Sequence, residues 1–246
     1  MLTILVTFHS EKYLAHLTLL SLLRCIDYCV LKQIDIVLYI ILDNADDLTT
    51  SVVHNFNFKD VSIRIESVSF GDVALARNYA CSNIHSKYIA ICDGDDYYSH
   101  NWFTNAITYL DSVSHSTSIK LVVHPEYMVT FGTTWTYAKQ ISASDKRPLI
   151  GLFSDNWWGV WSVANSEVYK KHPFRSHIPQ SNGFGFEDWH WNCETLAASI
   201  EHHSIPNTVG FYRRKTQSRN MVALSYSSII HFTTLFTKSF LQDYHS

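Results

Sequence analysis

The stretch Tyr88-Ile89-Ala90-Ile91-Cys92-Asp93-Gly94-Asp95-Asp96-Tyr97 constrains this chain more than any other. Its apolar half has the length and composition of a buried strand, and it ends abruptly in carboxylates spaced Asp-x-Asp-Asp. In an open α/β sheet, ligands bind outside the carboxyl ends of the strands. Carboxylates at such an edge, with a small Gly between them, suit a hard divalent cation that also holds phosphate oxygens. Asp and Gly are equally the commonest turn residues, so a plain surface turn is the competing reading.

The first half repeats the pattern of strand followed by helix. Residues 2–8 form a continuous apolar run, broken by His9-Ser10. Leu14, Leu17, Leu20 and Leu23 then recur at helical spacing, with Ser10 as a start signal. Residues 34–42 are a second β-branched run ending in Asp43-Asn44, and a helix is expected through Val53 and Phe56. Residues 61–68 alternate as a third strand, Gly71-Asp72 marks a turn, and residues 73–84 carry a helical pattern. This rhythm predicts βαβ units and a mostly parallel sheet. Apolar residues at 46% against 17% charged supply the core.

The pattern loosens after Asp96. A helix is expected over 102–110, strands over 121–123 and 127–131 around His124-Pro125, and a Thr-rich aromatic hairpin over 130–137. Residues 142–148 read as a polar loop, 157–164 as a strand, 166–171 as a short helix, and 187–199 as a helix behind a Gly-rich turn. A short strand over 209–212 precedes an amphipathic helical tail over 221–240. No repeat or linker divides the chain, so one domain is expected: a nucleotide-type half over 1–98, a variable half over 99–220 and the tail over 221–246.

With a net charge of −3 and no Lys/Arg run, nucleic acid is not an expected partner. Five cysteines without a CxxC pair argue against a disulfide framework or zinc site, and fit buried thiols in a reducing, cytoplasmic setting. The chain enters a strand at once and has no uninterrupted apolar run of about 18 residues, so neither a signal peptide nor a membrane span is expected. Fourteen dispersed histidines show no metal-binding spacing, and most Trp residues fall after Trp135, a bias towards a ligand-facing second half or towards core packing.

Strand ends in the first half bring Thr7-Phe8-His9-Ser10-Glu11, Asp43-Asn44 and Asp93-Gly94-Asp95-Asp96 to one edge, with Ala76-Arg77-Asn78 on the adjoining helix. A nucleotide needs such a set: acceptors for base and ribose, a cation for the diphosphate, and donors for its oxygens. Neither GxGxxG nor GxxxxGK[ST] is present, so a dinucleotide fingerprint and a P-loop are both unsupported.

The chain resembles the GT-A-fold glycosyltransferases of family 2 over residues 1 to about 220. Val6-Thr7-Phe8-His9-Ser10-Glu11-Lys12-Tyr13-Leu14 is similar to the opening strand and loop of that family. Gly71-Asp72-Val73-Ala74-Leu75-Ala76-Arg77-Asn78 resembles its G-x-x-x-A-R-N helix, and residues 88–96 its strand into D-x-D-D. Gly183-Phe184-Gly185-Phe186-Glu187-Asp188-Trp189 resembles the acceptor-side G-x-G-x-E-D-W.

The resemblance implies an α/β GT-A fold: a mostly parallel central sheet flanked by helices, with a smaller mixed sheet in the acceptor half. It implies that Thr7, His9, Glu11, Asp43, Arg77, Asp93, Gly94 and Asp95 line the nucleotide sugar. Asp43 would accept from the base and Arg77 would support the diphosphate. Asp93 and Asp95 would hold Mn²⁺ or Mg²⁺, with Asp95 as the main ligand and Asp96 the open question. Asp188 would be the general base of an inverting transfer, with Glu187 positioning it and Trp158 and Trp189 facing the acceptor. Thr7 and Ser10 replace the usual Pro and Asn, which leaves the base preference open. The late His that sometimes completes the metal shell is not evident; Arg214, Lys215 and Arg219 stand there as diphosphate clamps.

The implied reaction moves a sugar from a nucleotide-diphosphate donor, usually a UDP sugar, to a glycan or lipid-linked glycan. It needs a Lewis acid on the leaving group and a base on the incoming hydroxyl, here on carboxylates so distant in sequence that a loop closure is expected to unite them. Two other readings compete. One is an inactive GT-A protein that binds carbohydrate or nucleotide. The other is a sugar nucleotidyltransferase, disfavoured because the first loop carries Glu11 and no Gly. The tail offers core packing, a homodimer contact, or weak peripheral association with the inner membrane face.

Overall fold

The structure is a computed structural model and describes residues 1–142, 145, 149–216 and 218–237. The polar-loop expectation at residues 143, 144 and 146–148, and the end of the expected tail at 238–246, lie outside the described residues.

The first half alternates strand and helix as its apolar runs require. β1 (Leu2–Phe8), α1 (Tyr13–Leu31), β2 (Ile36–Asp43), α2 (Asp47–His54), β3 (Ser62–Val68), α3 (Val73–Ser82) and β4 (Tyr88–Asp93) follow in turn. Then come β5 (Tyr97–Tyr98), α4 (Trp102–Ser112), α5 (His115–Ser118), β6 (Leu121–Gly132), β7 (Thr136–Lys139), β8 (Ser162–Asn165) and α6 (Ser166–Lys171). The described chain closes with α7 (Pro179–Asn182), α8 (Glu187–Ala197), β9 (Glu201–Arg214), α9 (Arg219–Ser225) and a 3₁₀ turn at Thr234–Phe236.

All nine strands join in one sheet in the order β3-β2-β1-β4-β8-β6-β9-β5, with β7 added beside β6. β3, β2, β1 and β4 run parallel, so their carboxyl ends share one edge. β8 is antiparallel to both β4 and β6, and it therefore returns β6 and its parallel neighbour β9 to the direction of β4. Among the described residues the expected smaller mixed sheet is not a separate one. The acceptor-half strands continue the first sheet, which is mixed rather than mostly parallel.

The core lies on both faces of this sheet. Leu19, Leu22 and Ile26 of α1 pack with Ile4, Leu38 and Ile40 on one side, while Ala76 and Ala80 of α3 pack with Leu5, Ile41 and Ile91 on the other. The helical leucines of α1 divide: Leu23 is buried, whereas Leu17 and Leu20 are exposed. A spacing of three drifts round a helix of 3.6 residues per turn, so a strict three-residue series leaves the core face. By length and composition α1 is the one described helix apolar enough to cross a membrane, yet Leu19, Leu22 and Ile26 are committed to the sheet.

β6 is one strand where two were expected. A register shift between Pro125 and Tyr127 absorbs the proline, which cannot donate to the ladder, and Gln140 Nε2 donates to the Pro125 carbonyl (2.8 Å). β9 is far longer than residues 209–212, because its polar members find buried partners. His202 shares hydrogen bonds with His124 (2.9 Å) and with Thr195 Oγ1 (2.8 Å). The expected tail helix is reduced, among the described residues, to α9: Ser227 takes φ 50° and the chain then runs irregularly. All five cysteines are buried and free.

Candidate functional site

Parallel pairing sets the site's register: Thr7 of β1 lies beside Asp93 of β4, so the first loop and the acidic turn meet at the sheet edge. Gly94 is required there. A Cβ at Gly94 would sit 2.5 Å from the Phe8 ring and 2.6 Å from the Thr7 carbonyl. Thr7 is buried behind it. His9 is exposed, with Nδ1 against the Asp43 carbonyl (2.8 Å), and its backbone N–H donates to Glu11 (2.5 Å). Burial, with the nearby Asp95 charge adding to it, raises the Glu11 pKa.

Asp43 is fully engaged in building a loop. Its carboxylate accepts from the backbone N–H groups of Phe70 (2.8 Å), Gly71 (2.9 Å) and Asp72 (3.1 Å). Gly71 has φ +63°, the left-handed conformation that favours glycine. Asp72 then caps α3 through Ala74 N–H (2.8 Å). The base contact expected of Asp43 has to compete with these three bonds.

The loop and cap aim α3 so that Arg77 enters the interior. The resemblance assigned Arg77 to the diphosphate, but the side chain is only 2% exposed. Its guanidinium donates to Asp93 Oδ1 (2.6 Å) and to Glu187 Oε1 (3.0 Å). Burial opposes the charge, and Asp93 and Glu187 outweigh it to hold the Arg77 pKa above its ordinary value. The two carboxylates respond differently. Burial pushes Glu187 up, but Arg77 and Arg219 pull it below the usual range. Burial raises Asp93, and Arg77 does not overcome that effect with Asp95 adding repulsion. Arg77 therefore joins the acidic turn to α8 directly, and the expected loop closure between the two halves is unnecessary.

The three aspartates of the turn separate into distinct roles. Asp96 is completely buried and accepts from Trp161 Nε1 (2.8 Å) and Arg213 N–H (2.7 Å). Burial and the Asp95 charge raise its pKa well above the ordinary value. Asp95 pairs with Lys215 Nζ (2.5 Å) and Asp93 with Arg77, leaving each carboxylate a second oxygen. Among the described residues no group of three or more His, Cys, Asp or Glu could hold a metal. Binding with a nucleotide requires only one or two protein carboxylates, the remaining ligands being phosphate oxygens and water. Asp93 and Asp95 are two such carboxylates, each already paired with a cation of the chain.

Asp188 opens α8, half-buried, and its Oδ2 accepts from Asn156 Nδ2 (3.1 Å). Asn192 Nδ2 donates in turn to Asn156 Oδ1 (3.0 Å), which fixes the orientation of the Asn156 amide. Burial and the adjacent Glu187 charge raise the Asp188 pKa to about 7. Such a value suits a general base at neutral pH.

Of the two aromatics expected to face an acceptor, Trp158 is internal and Trp189 is half-buried. Trp158 is buried, donates Nε1–H to the Ile141 carbonyl (2.7 Å) and stacks near His124 and His202. Trp189 donates to the Leu152 carbonyl (3.0 Å) and packs beside Phe186. Of the expected clamp, Lys215 reaches the turn, Arg219 donates to the Gly71 carbonyl (3.4 Å), and Arg214 is exposed. Arg213 also reaches the turn: its Nε donates to the Asp95 carbonyl (2.9 Å). Strand alternation pairs Arg213 with Lys215 and would have found it. Asn156 carries no signal in the sequence.

A family model described as glycosyl transferase family 2 matches residues 3–174. Comparison with curated proteins gives no match. Among solved structures, S. aureus TarS 1–349 in complex with UDP-GlcNAc is similar with a TM-score of 0.65 at 12% identity, covering 94% of this chain and 61% of that one. TarS 1–349 in complex with UDP gives 0.61 at 13% identity, covering 92% and 63%. Full TarS gives 0.56 at 13% identity, covering 91% and 38%. The chain thus spans less than two thirds of each of these proteins, and at such identities the likeness is one of fold.

Proposed function

Because this chain belongs to glycosyl transferase family 2, we propose that it moves a sugar from a UDP-linked donor to a hydroxyl of a glycan or lipid-linked glycan, with inversion. Two of the similar structures are TarS complexes with UDP-GlcNAc and UDP, which supports the choice of nucleotide. The observation that carries the reading is the Arg77 bridge, which ties Asp93 to Glu187 and so sets the acidic turn beside the Asp188 base.

In this reading Asp188 takes the proton of the incoming hydroxyl. The freed oxygen bonds to the anomeric carbon as the bond from that carbon to the diphosphate oxygen breaks, and UDP leaves carrying the electron pair. The proton stays on Asp188 until product release. Lys215 and Arg219 face the departing charge, and Glu187, held by Arg77, orients the first turn of α8. When bound on Asp93 and Asp95, Mn²⁺ or Mg²⁺ supplies Lewis acidity to the diphosphate.

The test is a thermal-shift screen of UDP and UDP sugars with and without Mn²⁺, followed by transfer assays. A bound donor raises the melting temperature by mass action. Asp95→Ala is expected to remove the metal-dependent shift, and Asp188→Asn to keep the shift while abolishing transfer. Full transfer by Asp188→Asn would overturn the assigned base.

A further inference from the structure

Fourteen histidines are scattered along the sequence, and the fold gathers three of them from separate stretches. His177 precedes α7, His190 lies on α8 and His231 follows α9. The ring centroids of His177 and His190 are 5.2 Å apart, those of His177 and His231 6.1 Å, and those of His190 and His231 5.8 Å. Phe184 packs against two of them, 4.3 Å from His231 and 6.4 Å from His177. His177 and His190 are buried, and among the described residues neither ring nitrogen of His177 has a hydrogen-bond partner. A buried polar ring without partners is costly to hold, so this contact is a weak point of the packing.

The three rings close a contact between two stretches of chain. Residues 183–186 lead into Glu187 and Asp188, and residues 227–232 run back across them after α9. Gly185 N–H donates to the Ile229 carbonyl (3.0 Å), and Ile229 N–H donates to the Gly183 carbonyl (3.4 Å). His190 Nε2 reaches the Phe232 carbonyl (3.4 Å). Charge at the rings is poorly compensated. Arg175 adds a positive charge beside His177, α7 carries no titratable group, and Arg219 of α9 bears on Glu187. The carboxylates facing the rings are Glu187 and Glu194, both on α8. Glu187 is already paired with Arg77 (3.0 Å), and Glu194 accepts from Thr234 N–H (2.9 Å). Burial, with His190 beside it, pushes the His177 pKa down to about 4, and burial lowers His190 as well.

We propose that His177, His190 and His231 are an acid-released latch: neutral rings hold residues 227–232 against residues 183–186, and protonated rings release them. The closed contact keeps protons off His177, whereas the open one returns it to its ordinary value of 6.5. Closure is therefore at full strength above pH 6.5 and weakens as pH falls from 6.5 towards about 4. Within that window His177 alone raises the opening equilibrium by up to about tenfold per pH unit, and His190 adds to it. The latch bears on the site through two connections. The held turn leads into Glu187 and Asp188, and Arg219, whose charge helps to depress Glu187, begins the helix just before the released stretch. The latch itself does not depend on the transferase reading; its effect on transfer does.

The experiment follows amide hydrogen exchange of the full chain by NMR from about pH 7.5 to about pH 5.5, corrected for intrinsic rates, because exchange reports local opening. The Gly185 and Ile229 N–H groups are the reporters. Their protection should fall about tenfold or more across this range, while protection in β1 and β4 stays constant. His177→Phe keeps an aromatic ring that cannot be protonated, and should flatten the pH dependence by about tenfold. His190→Phe takes its place if circular dichroism shows the first variant to be unfolded. Constant protection of Gly185 and Ile229, a loss shared equally by β1 and β4, or an unchanged pH dependence in the variant overturns the latch. Thermal stabilisation by Zn²⁺ that His177→Phe loses makes the three histidines a metal site and overturns it too. UDP-induced thermal shift is measured on the same samples. No UDP shift at any pH overturns the transferase reading and leaves the latch standing, whereas a UDP shift with pH-independent protection does the reverse.

Discussion

Replacing Arg77 by Met keeps the bulk of the side chain and removes the guanidinium that joins β4 to α8. The loss leaves Asp93 and Glu187, 26% and 19% exposed, without their cation. A hydrogen bond to a charged group contributes about 1.5–3 kcal/mol, and breaking a buried pair on one side costs about 3–5 kcal/mol. Partial exposure of both carboxylates lets water recover part of this, so about 3 kcal/mol is expected at pH 7. With a urea m-value of about 3 kcal/mol per molar, the unfolding midpoint should fall by about 1 M. Acid reduces the difference. Glu187 is depressed in the folded wild type, so its stabilisation is present above the unfolded value of 4.5 and is lost as pH falls through the folded pKa. The two proteins should therefore approach one another below about pH 4.5. Adding Glu187→Gln to Arg77→Met should recover part of the loss, because an orphaned charge is replaced by a neutral amide. A midpoint shift under about 0.3 M at pH 7, or one that does not change with pH, would refute the bridge as the link between the two halves.

Asp188 must be ionised to accept a proton, so kcat/KM should rise with pH through about 7 and level off above it. Asn156→Ala removes a hydrogen bond to the ionised form worth about 1–2 pK units and should move that limb upward; an unmoved limb would separate Asn156 from the base. Gly94→Ala should destabilise by about 1–3 kcal/mol in thermal melts, because its methyl meets the Phe8 ring at 2.5 Å. Trp158→Phe should lower stability by about 1–2 kcal/mol through the orphaned Ile141 carbonyl, and leave the acceptor KM unchanged.

The parts of the fold carried by apolar runs were legible. β1 and β4 begin and end within a residue of where their sequence patterns do, because strands buried on both faces are written as unbroken hydrophobic stretches. β9 was legible only at its apolar centre, since His202 and Thr208 are buried by virtue of partners that local pattern does not contain. The tail misled for the opposite reason: its apolar spacing is helical, yet Leu235 reaches the Trp158 and Cys193 cluster through irregular chain beyond Ser227. At the site, the resemblance located the acidic turn and Glu187-Asp188, but not the destination of each side chain. Arg77 and Asp43 read as ligand contacts and are occupied by protein partners, while Trp158, read as facing an acceptor or filling the core, is core. A motif identifies which residues converge; whether an oxygen faces solvent or a neighbouring amide is decided by packing from elsewhere in the chain.

Asp96 has a mechanical consequence. Its two oxygens grip the Arg213 amide and the Trp161 indole, and Arg213 reaches back to the Asp95 carbonyl. The acidic turn, β9 and the strand leading to β8 are thereby pinned as one body, like a hinge plate screwed at three points. Whatever the protein must rearrange to admit a donor and release a product falls to parts outside this plate: the His9–Lys12 loop, the Lys215 ammonium and the stretch bearing Arg219.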